Sequence, residues 1–121
     1  PLLVWKTRSF EPLNDTQTLH WTTTYPSTAV FPMAASVKAA IALDYSDVKI
    51  PALFHYAEGD KVVRSEVTQR IAAQWGGDVT TVRPELGAGD DPSQHVIAGD
   101  IISPGQTARS VVAILEWYGQ L

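Results

Sequence analysis

Cysteine is absent from this chain of 121 residues, which excludes disulfides, thiolate zinc sites, iron–sulfur clusters and cysteine nucleophiles. Positive charge is also scarce, because nine Lys and Arg stand against 13 Asp and Glu, for a formal net charge of −4. We therefore expect no nucleic-acid partner and no attraction to anionic lipid. No apolar run approaches the roughly 18 residues of a membrane-spanning helix, since Lys38, Asp44 and the prolines interrupt the longest candidates.

The length and composition suit one globular domain, with 45% hydrophobic and 18% charged residues. The chain begins at Pro1 rather than at Met, without a leader that is first basic and then apolar. We expect Pro1 to be a processing boundary or the edge of an expressed segment. No His, Asp or Glu set has metal-ligand spacing, so we expect no metal and no other cofactor. Because no apolar run is long enough to span a membrane, we expect a soluble protein, and we expect it to be cytoplasmic.

Hydrophobic periodicity divides the chain into two parts. For residues 1–45 we expect an irregular segment, with at most one short strand or helical turn, followed by a helix that ends near Leu43. Met33, Val37 and Ile41 recur in it at helical spacing. Residues 46–121 predict a single structural unit in which strands and helices alternate. The first of its strands is the apolar run Ile50–Tyr56, which is typical of a strand buried on both faces.

Three further elements follow this strand. Ser65 is placed to cap a helix that reaches Trp75, and Val79–Val82 predicts a second strand. The last helix begins at Ser103-Pro104-Gly105-Gln106, a capping box with proline at the first helical position. This order is typical of parallel strands joined by right-handed crossovers, so the predicted fold class is α/β.

Two parallel strands do not make an independent sheet, and parallel sheets normally carry helices on both faces. We therefore expect only a few parallel strands within this chain. Either the first third adds strands, or a second copy or a missing segment completes the sheet.

Two residues could carry chemistry at the carboxyl ends of these strands. Asp60 follows the first strand, and His95 lies in the loop after the second. Parallel neighbours place both loops on one rim of a sheet, where open α/β folds bind ligands. The aspartate could orient an imidazole that takes a proton from a nucleophile. The alternative is a turn aspartate that satisfies local backbone N–H groups and an ordinary loop histidine.

The segments around these residues resemble the carboxyl-terminal part of an α/β-hydrolase, in particular the lysophospholipase-like and serine aminopeptidase-like group. The resemblance lies in Pro51–Phe54 leading to Gly59–Val63, in the helix Ser65–Trp75, and in His95–Pro104. It covers residues 46–121, while residues 21–43 are more loosely similar to the lid segment of such proteins. It implies that Asp60 is the acid and His95 the base of a Ser-His-Asp triad, in the family's chain order.

The nucleophile of that family is missing from the chain. The serine should lie in Gly-x-Ser-x-Gly, yet no glycine has a serine two positions later, and none of the eight serines has small residues on both sides at that spacing. In the family's chain order the elbow and the oxyanion hole precede the acid. The resemblance therefore implies the carboxyl-terminal half of a hydrolase, which we expect to be inactive alone.

Other residues admit simpler interpretations. Asp90 and Asp91 are expected to be a solvated pair in a Gly-rich loop, and His55 is expected to pack within its strand. His20 lies in the irregular segment. Four large side chains could line an acyl-binding lid, although they more often form core or interface: Trp21, Tyr25, Phe31 and Met33.

Two hypotheses of different classes remain open, so the sequence leaves it uncertain whether this chain is an enzyme. The first is a fragment of a serine hydrolase acting on an ester, amide or acyl-lipid bond, whose partner is the missing amino-terminal half. The second is a module without catalysis, derived from a hydrolase, that self-associates to bury strand edges and apolar faces left bare.

Overall fold

The computed structural model describes residues 6–121. The chain divides into two compact units, Pro1–Leu43 and Asp44–Leu121. Across the described residues the structure is a mixture of helices and two small two-stranded sheets, so the general α/β class is confirmed. No helix within these residues is long and apolar enough to cross a membrane.

The first unit contains more regular structure than its sequence predicts. Strand β1 (Thr7–Ser9) pairs antiparallel with β2 (Thr24–Pro26), and helix α1 (Asp15–His20) lies between them in the chain. Asn14 caps α1, because its Oδ1 accepts the N–H of Gln17 at 2.8 Å. The sequence analysis expects at most one short strand or helical turn in this segment, and the structure has two short strands and a helix within residues 7–26. Residues 1–5 lie outside the described ones.

Helix α2 spans Val30–Ile41, close to the predicted helix. Pro32 lies in its first turn, where backbone N–H groups have no partner within the helix, so the missing N–H of proline costs no hydrogen bond. Its large apolar side chains are exposed within the described structure, with Phe31 at 64% and Met33 at 60%.

The second unit contains the predicted alternation of strands and helices. Strand β3 (Ala52–His55) pairs parallel with β4 (Val79–Val82), and α3 (Ser65–Gln74) connects them. Helix α4 (Pro104–Tyr118) follows. The parallel pairing confirms the predicted crossover, and it places the loop after β3 and the loop after β4 at the same edge of the sheet.

Burial in this unit is lower than the sequence predicts. All four residues of β3 are half-buried, which corrects the expectation of a strand buried on both faces. The buried apolar residues among those described are Tyr56, Ala57 and Ile102. Among the described residues β3 has β4 as its one neighbouring strand, whereas a central parallel strand has a neighbour on each side and helices on both faces.

The helix starts also differ from the sequence prediction. Ser65 is the first residue of α3 rather than its cap, and its hydroxyl donates to the carbonyl of Glu58 at 3.0 Å. Ser103 does occupy the cap position of α4, but its side chain makes no capping bond. The carboxylate of Asp90 caps that helix instead, because its Oδ1 accepts the backbone N–H of Gly105 at 3.0 Å. Its Oδ2 also accepts the side-chain Nε2–H of Gln106 at 2.8 Å.

Trp75, at the end of α3, contacts both β3 and the segment that precedes it. Its ring stacks on Tyr45, with centroids 5.8 Å apart, and meets Phe54 edge-on at 5.6 Å. Its Nε1–H donates to the carbonyl of Ile50 at 2.8 Å. One side chain thus connects helix, strand and linker in a unit with little buried apolar surface.

We expect Trp75→Ala to lower the free energy of unfolding by about 2 kcal/mol or more, because it removes two aromatic contacts and a hydrogen bond. Urea unfolding followed by circular dichroism measures the loss. Trp75→Phe serves as the control, since it keeps the ring contacts and loses the hydrogen bond, at a cost of about 1 kcal/mol. Equal midpoints for the alanine variant and the parent chain would contradict this role.

Candidate active site

The turn after β3 brings Asp60 to the rim of the small sheet. The strand continues into the buried residues Tyr56 and Ala57, and the N–H of Asp60 points back to the carbonyl of Ala57 at 3.4 Å. The side chain of Asp60 is only 5% exposed. A carboxylate at this depth needs hydrogen-bond donors on both of its oxygens.

The two oxygens of Asp60 have different partners. Oδ1 accepts the backbone N–H groups of Val62 at 2.7 Å and Val63 at 2.9 Å. Oδ2 lies 2.9 Å from Nδ1 of His95, which is 35 positions later in the chain. One oxygen of Asp60 therefore bonds local backbone N–H groups, as a turn aspartate does, and the other oxygen pairs with His95. The backbone fixes the carboxylate so that its second oxygen faces the imidazole.

Burial alone would raise the pKa of the Asp60 carboxyl. The hydrogen bond with His95 outweighs it together with the N–H groups of Val63 and Val62, and the charge of His95 adds to them, so the pKa is lowered. Asp60 is therefore ionised at neutral pH, and in this form its carboxylate can accept a hydrogen bond from the imidazole N–H. The side chain of His95 is 41% exposed, so the ring can be reached from outside.

The loop that carries His95 is joined to the turn that carries Asp60 at two further places. Lys61 donates its backbone N–H to the carbonyl of Ser93 at 2.9 Å and its Nζ to that of Pro92 at 2.8 Å. Gly59 lies against the side chain of Gln94, and any Cβ at Gly59 would overlap that amide. The acid and the base thus belong to one connected surface.

Asp91 is the residue in this region that the sequence analysis misjudged. It is 5% exposed, so the expectation of a solvated pair is wrong for it. Its carboxylate accepts bonds from the loop that carries His95, and these bonds lower its pKa although burial alone would raise it. The signal that could have found it is Asp91-Pro92-Ser93, since aspartate before proline favours a turn with its side chain bonded two residues on.

A polar groove lies beside the loop of His95, and its lining includes Glu58, Arg83 and Gln94. Arg83 pairs with Glu58, with Nη1 and Oε1 2.9 Å apart, and its Nε donates to the hydroxyl of Tyr56 at 3.1 Å. Gln94, which directly precedes His95, forms part of the lining of this groove. Side chains of both charge signs line it.

The other residues singled out in the sequence take no part in these contacts. His55 lies in β3, where burial lowers its pKa, and His20 ends α1. The four residues suggested as a lid are exposed in the first unit: Trp21, Tyr25, Phe31 and Met33. No group of three or more His, Asp or Glu within residues 6–121 is arranged to hold a metal ion.

All eight serines lie within the described residues, and none of their hydroxyls forms a hydrogen bond with the ring of His95. Ser93 is closest in sequence, but its Oγ donates to Asp91 at 2.7 Å. Within residues 6–121 the ring of His95 is therefore bonded to Asp60 and to no serine hydroxyl.

No family profile, curated protein or solved structure matches the chain. The chemistry of the site is therefore inferred from its own geometry. An aspartate that accepts a hydrogen bond from Nδ1–H leaves Nε2 as the basic nitrogen of the imidazole. This arrangement can take a proton from a hydroxyl or a water molecule and return it.

We expect part of the acid sensitivity of folding to come from Asp60. Because its pKa is lowered in the folded chain, its stabilising effect is complete above the unfolded value of about 4 and is lost as the pH falls through the folded value. Urea unfolding at several pH values should therefore show a shallower loss below about pH 4 for Asp60→Asn than for the parent chain. The asparagine keeps an oxygen for Val62 and Val63, and an equal loss in both proteins would contradict this assignment.

Proposed function

We propose that this chain supplies the acid and the base of a Ser-His-Asp triad in a serine hydrolase of the α/β-hydrolase type, with the serine outside this sequence. The single observation that supports it most is the 2.9 Å contact between Asp60 Oδ2 and His95 Nδ1. The substrate would be an ester, an amide or an acyl lipid.

Each residue has a role that follows from its surroundings. Asp60 holds the imidazole in the tautomer with the proton on Nδ1 and stabilises the imidazolium when it forms. His95 takes the proton of the serine through Nε2 and returns it to the leaving group. The backbone N–H groups on the other oxygen of Asp60 keep the carboxylate ionised and prevent it from turning away.

The proposal also accounts for what the chain lacks. A base without a nucleophile has nothing to activate, and an oxyanion hole of the kind built around a nucleophile elbow would be missing with the serine. In hydrolases with complete triads, removal of the serine lowers kcat by about 10⁴-fold or more. The chain alone should therefore be inert, and activity should depend on a segment that brings the serine to His95.

We expect the purified 121-residue chain to hydrolyse p-nitrophenyl esters no faster than buffer does and to resist labelling by a fluorophosphonate. Material isolated with this chain from its native source should contain a polypeptide that labels on serine, either a longer product of the same gene or a copurifying partner. Intact mass distinguishes these two. Ester turnover by the 121-residue chain alone would contradict the proposal.

Two variants of the active assembly test the roles directly. His95→Ala should lower labelling and turnover by about 10⁶-fold, as loss of the triad histidine does. His55→Ala is the matched control, because His55 makes no contact with Asp60 and lies within β3. Retained activity in the His95 variant would refute the assignment of the base.

A second candidate function is a self-associating module without catalysis. Helix α4 favours it, because Val111, Leu115 and Tyr118 lie on one face at helical spacing and are 50%, 62% and 70% exposed. Large apolar side chains in such a row usually mark a contact surface. Two copies that packed these faces together would also enlarge the small core of the second unit.

Sedimentation velocity tests this candidate. We expect the chain to form a dimer or a higher assembly whose population grows with concentration, and Leu115→Lys to shift it to monomer because the lysine would be buried without a partner. Glu116→Lys is the control, since it changes an exposed charged residue on the same helix. A monomer at every concentration would contradict self-association.

A further inference from the structure

Asp91 presents a buried charge that no cation neutralises. No Lys or Arg forms an ion pair with it within residues 6–121. Burial of a lone carboxylate is costly unless hydrogen-bond donors replace the water it loses. Asp91 has four such donors, and all of them come from the next five residues of the chain.

The donors surround the backbone of His95. Oδ1 accepts the N–H of Ser93 at 2.9 Å, while Oδ2 accepts the hydroxyl of Ser93 at 2.7 Å, the N–H of His95 at 3.0 Å and that of Val96 at 2.8 Å. Bonds from an N–H to an ionised acceptor are stronger than neutral ones. The carboxylate therefore fixes the peptide groups on both sides of the imidazole-bearing Cα.

Gln94, directly before His95, has a φ of +57°, in the left-handed region that side chains other than glycine rarely adopt. Such a conformation persists only where the surroundings impose it. Asp91 contributes here as well, because its own carbonyl accepts the N–H of Gln94 at 2.9 Å. The turn that directs His95 towards Asp60 is thus imposed by Asp91 from both its side chain and its backbone.

Ser103 anchors this turn to the start of α4. It has no exposed surface, its hydroxyl accepts the N–H of Asp91 at 3.0 Å, and the same hydroxyl donates to the carbonyl of Val96. This contact explains why Ser103 does not cap the helix. The loop from Asp91 to Val96 is closed at both of its ends by one buried hydroxyl.

We propose that Asp91 is a positioning residue that shapes the loop of His95 and thereby holds the imidazole against Asp60. Asp91 touches neither a substrate nor the ring, so it acts through the backbone of His95 alone. The inference rests on the proposed role of the Asp60–His95 pair, but the contact between the two side chains can be measured without any catalysis.

Asp91→Asn is a sharp test, because it preserves shape and changes only hydrogen bonding. An amide has one accepting oxygen, whereas Asp91 uses both of its oxygens as acceptors. Oδ1 accepts the N–H of Ser93, and Oδ2 accepts those of His95 and Val96. Whichever way the amide turns, its NH₂ faces at least one N–H donor. The turn must then open, and His95 should move away from Asp60.

The experiment follows the carboxyl carbon of Asp60 by NMR during a pH titration of the full chain. His95→Ala serves as the reference for complete loss of the contact, because removal of the imidazole should raise the pKa of Asp60 from its lowered value. We expect Asp91→Asn to raise the pKa of Asp60 in the same direction. We also expect the N–H groups of His95 and Val96 to exchange with solvent about tenfold faster.

Asp90→Asn is the matched control. Asp90 also accepts backbone and side-chain donors, but they belong to Gly87, Gly105 and Gln106 rather than to the loop of His95. This variant should leave the titration of Asp60 unchanged, so a general loss of stability cannot mimic the effect. A folded Asp91→Asn chain with the parental titration of Asp60 would overturn the proposal.

Ser93→Ala decides the question if Asp91→Asn does not fold, since it removes a single donor from Oδ2. A smaller rise in the pKa of Asp60 is then expected, and no rise would overturn the proposal. In the active assembly, Asp91→Asn should lower kcat more than it raises KM. If the titration changes but no assembly is active, the positioning role holds and the proposed hydrolase function fails.

Discussion

The parallel pairing of β3 with β4 is the constraint on which the rest of the second unit depends. Parallel strands end on the same side of a sheet, so the turn after β3 and the loop after β4 must meet. Asp60 and His95 come from those two segments and lie 2.9 Å apart although 35 positions separate them in the chain. An antiparallel pair would have placed the two segments at opposite edges.

The unit achieves this arrangement with few buried apolar side chains and many hydrogen bonds to carboxylates. Asp60, Asp90 and Asp91 each accept backbone N–H groups from a turn, a helix start or a loop. Donors of this kind hold a charge in place without the conformational cost of a long basic side chain. The loops are therefore ordered by polar contacts where a larger domain would rely on its core.

The sequence allowed the parallel strands, α3, α4 and the meeting of Asp60 with His95 to be predicted, because each depends on periodicity or on the position of a residue relative to a strand. It did not allow the roles of Asp91 and Ser103 to be predicted. The sequence indicated a solvated charge for Asp91 and a helix cap for Ser103. Their partners instead lie in the loop that carries His95, and hydrophobic periodicity does not predict the path of a loop. The start of α1 could have been predicted, because Asn14 followed three residues later by Gln17 is a known sequence signal for a helix start.

Asp60 and Asp91 accept hydrogen bonds from backbone N–H groups, and this affects which substitutions the site can tolerate in evolution. Every residue except proline carries an N–H, so the side chains at positions 62, 63, 95 and 96 can be exchanged while the carboxylates keep their donors. The backbone contacts of Asp91 therefore do not depend on which side chain stands at position 95, although Oδ2 of Asp60 still needs a hydrogen-bond donor from that side chain. The loop could present another reactive group in place of the imidazole, and proline is the one residue that all four positions exclude.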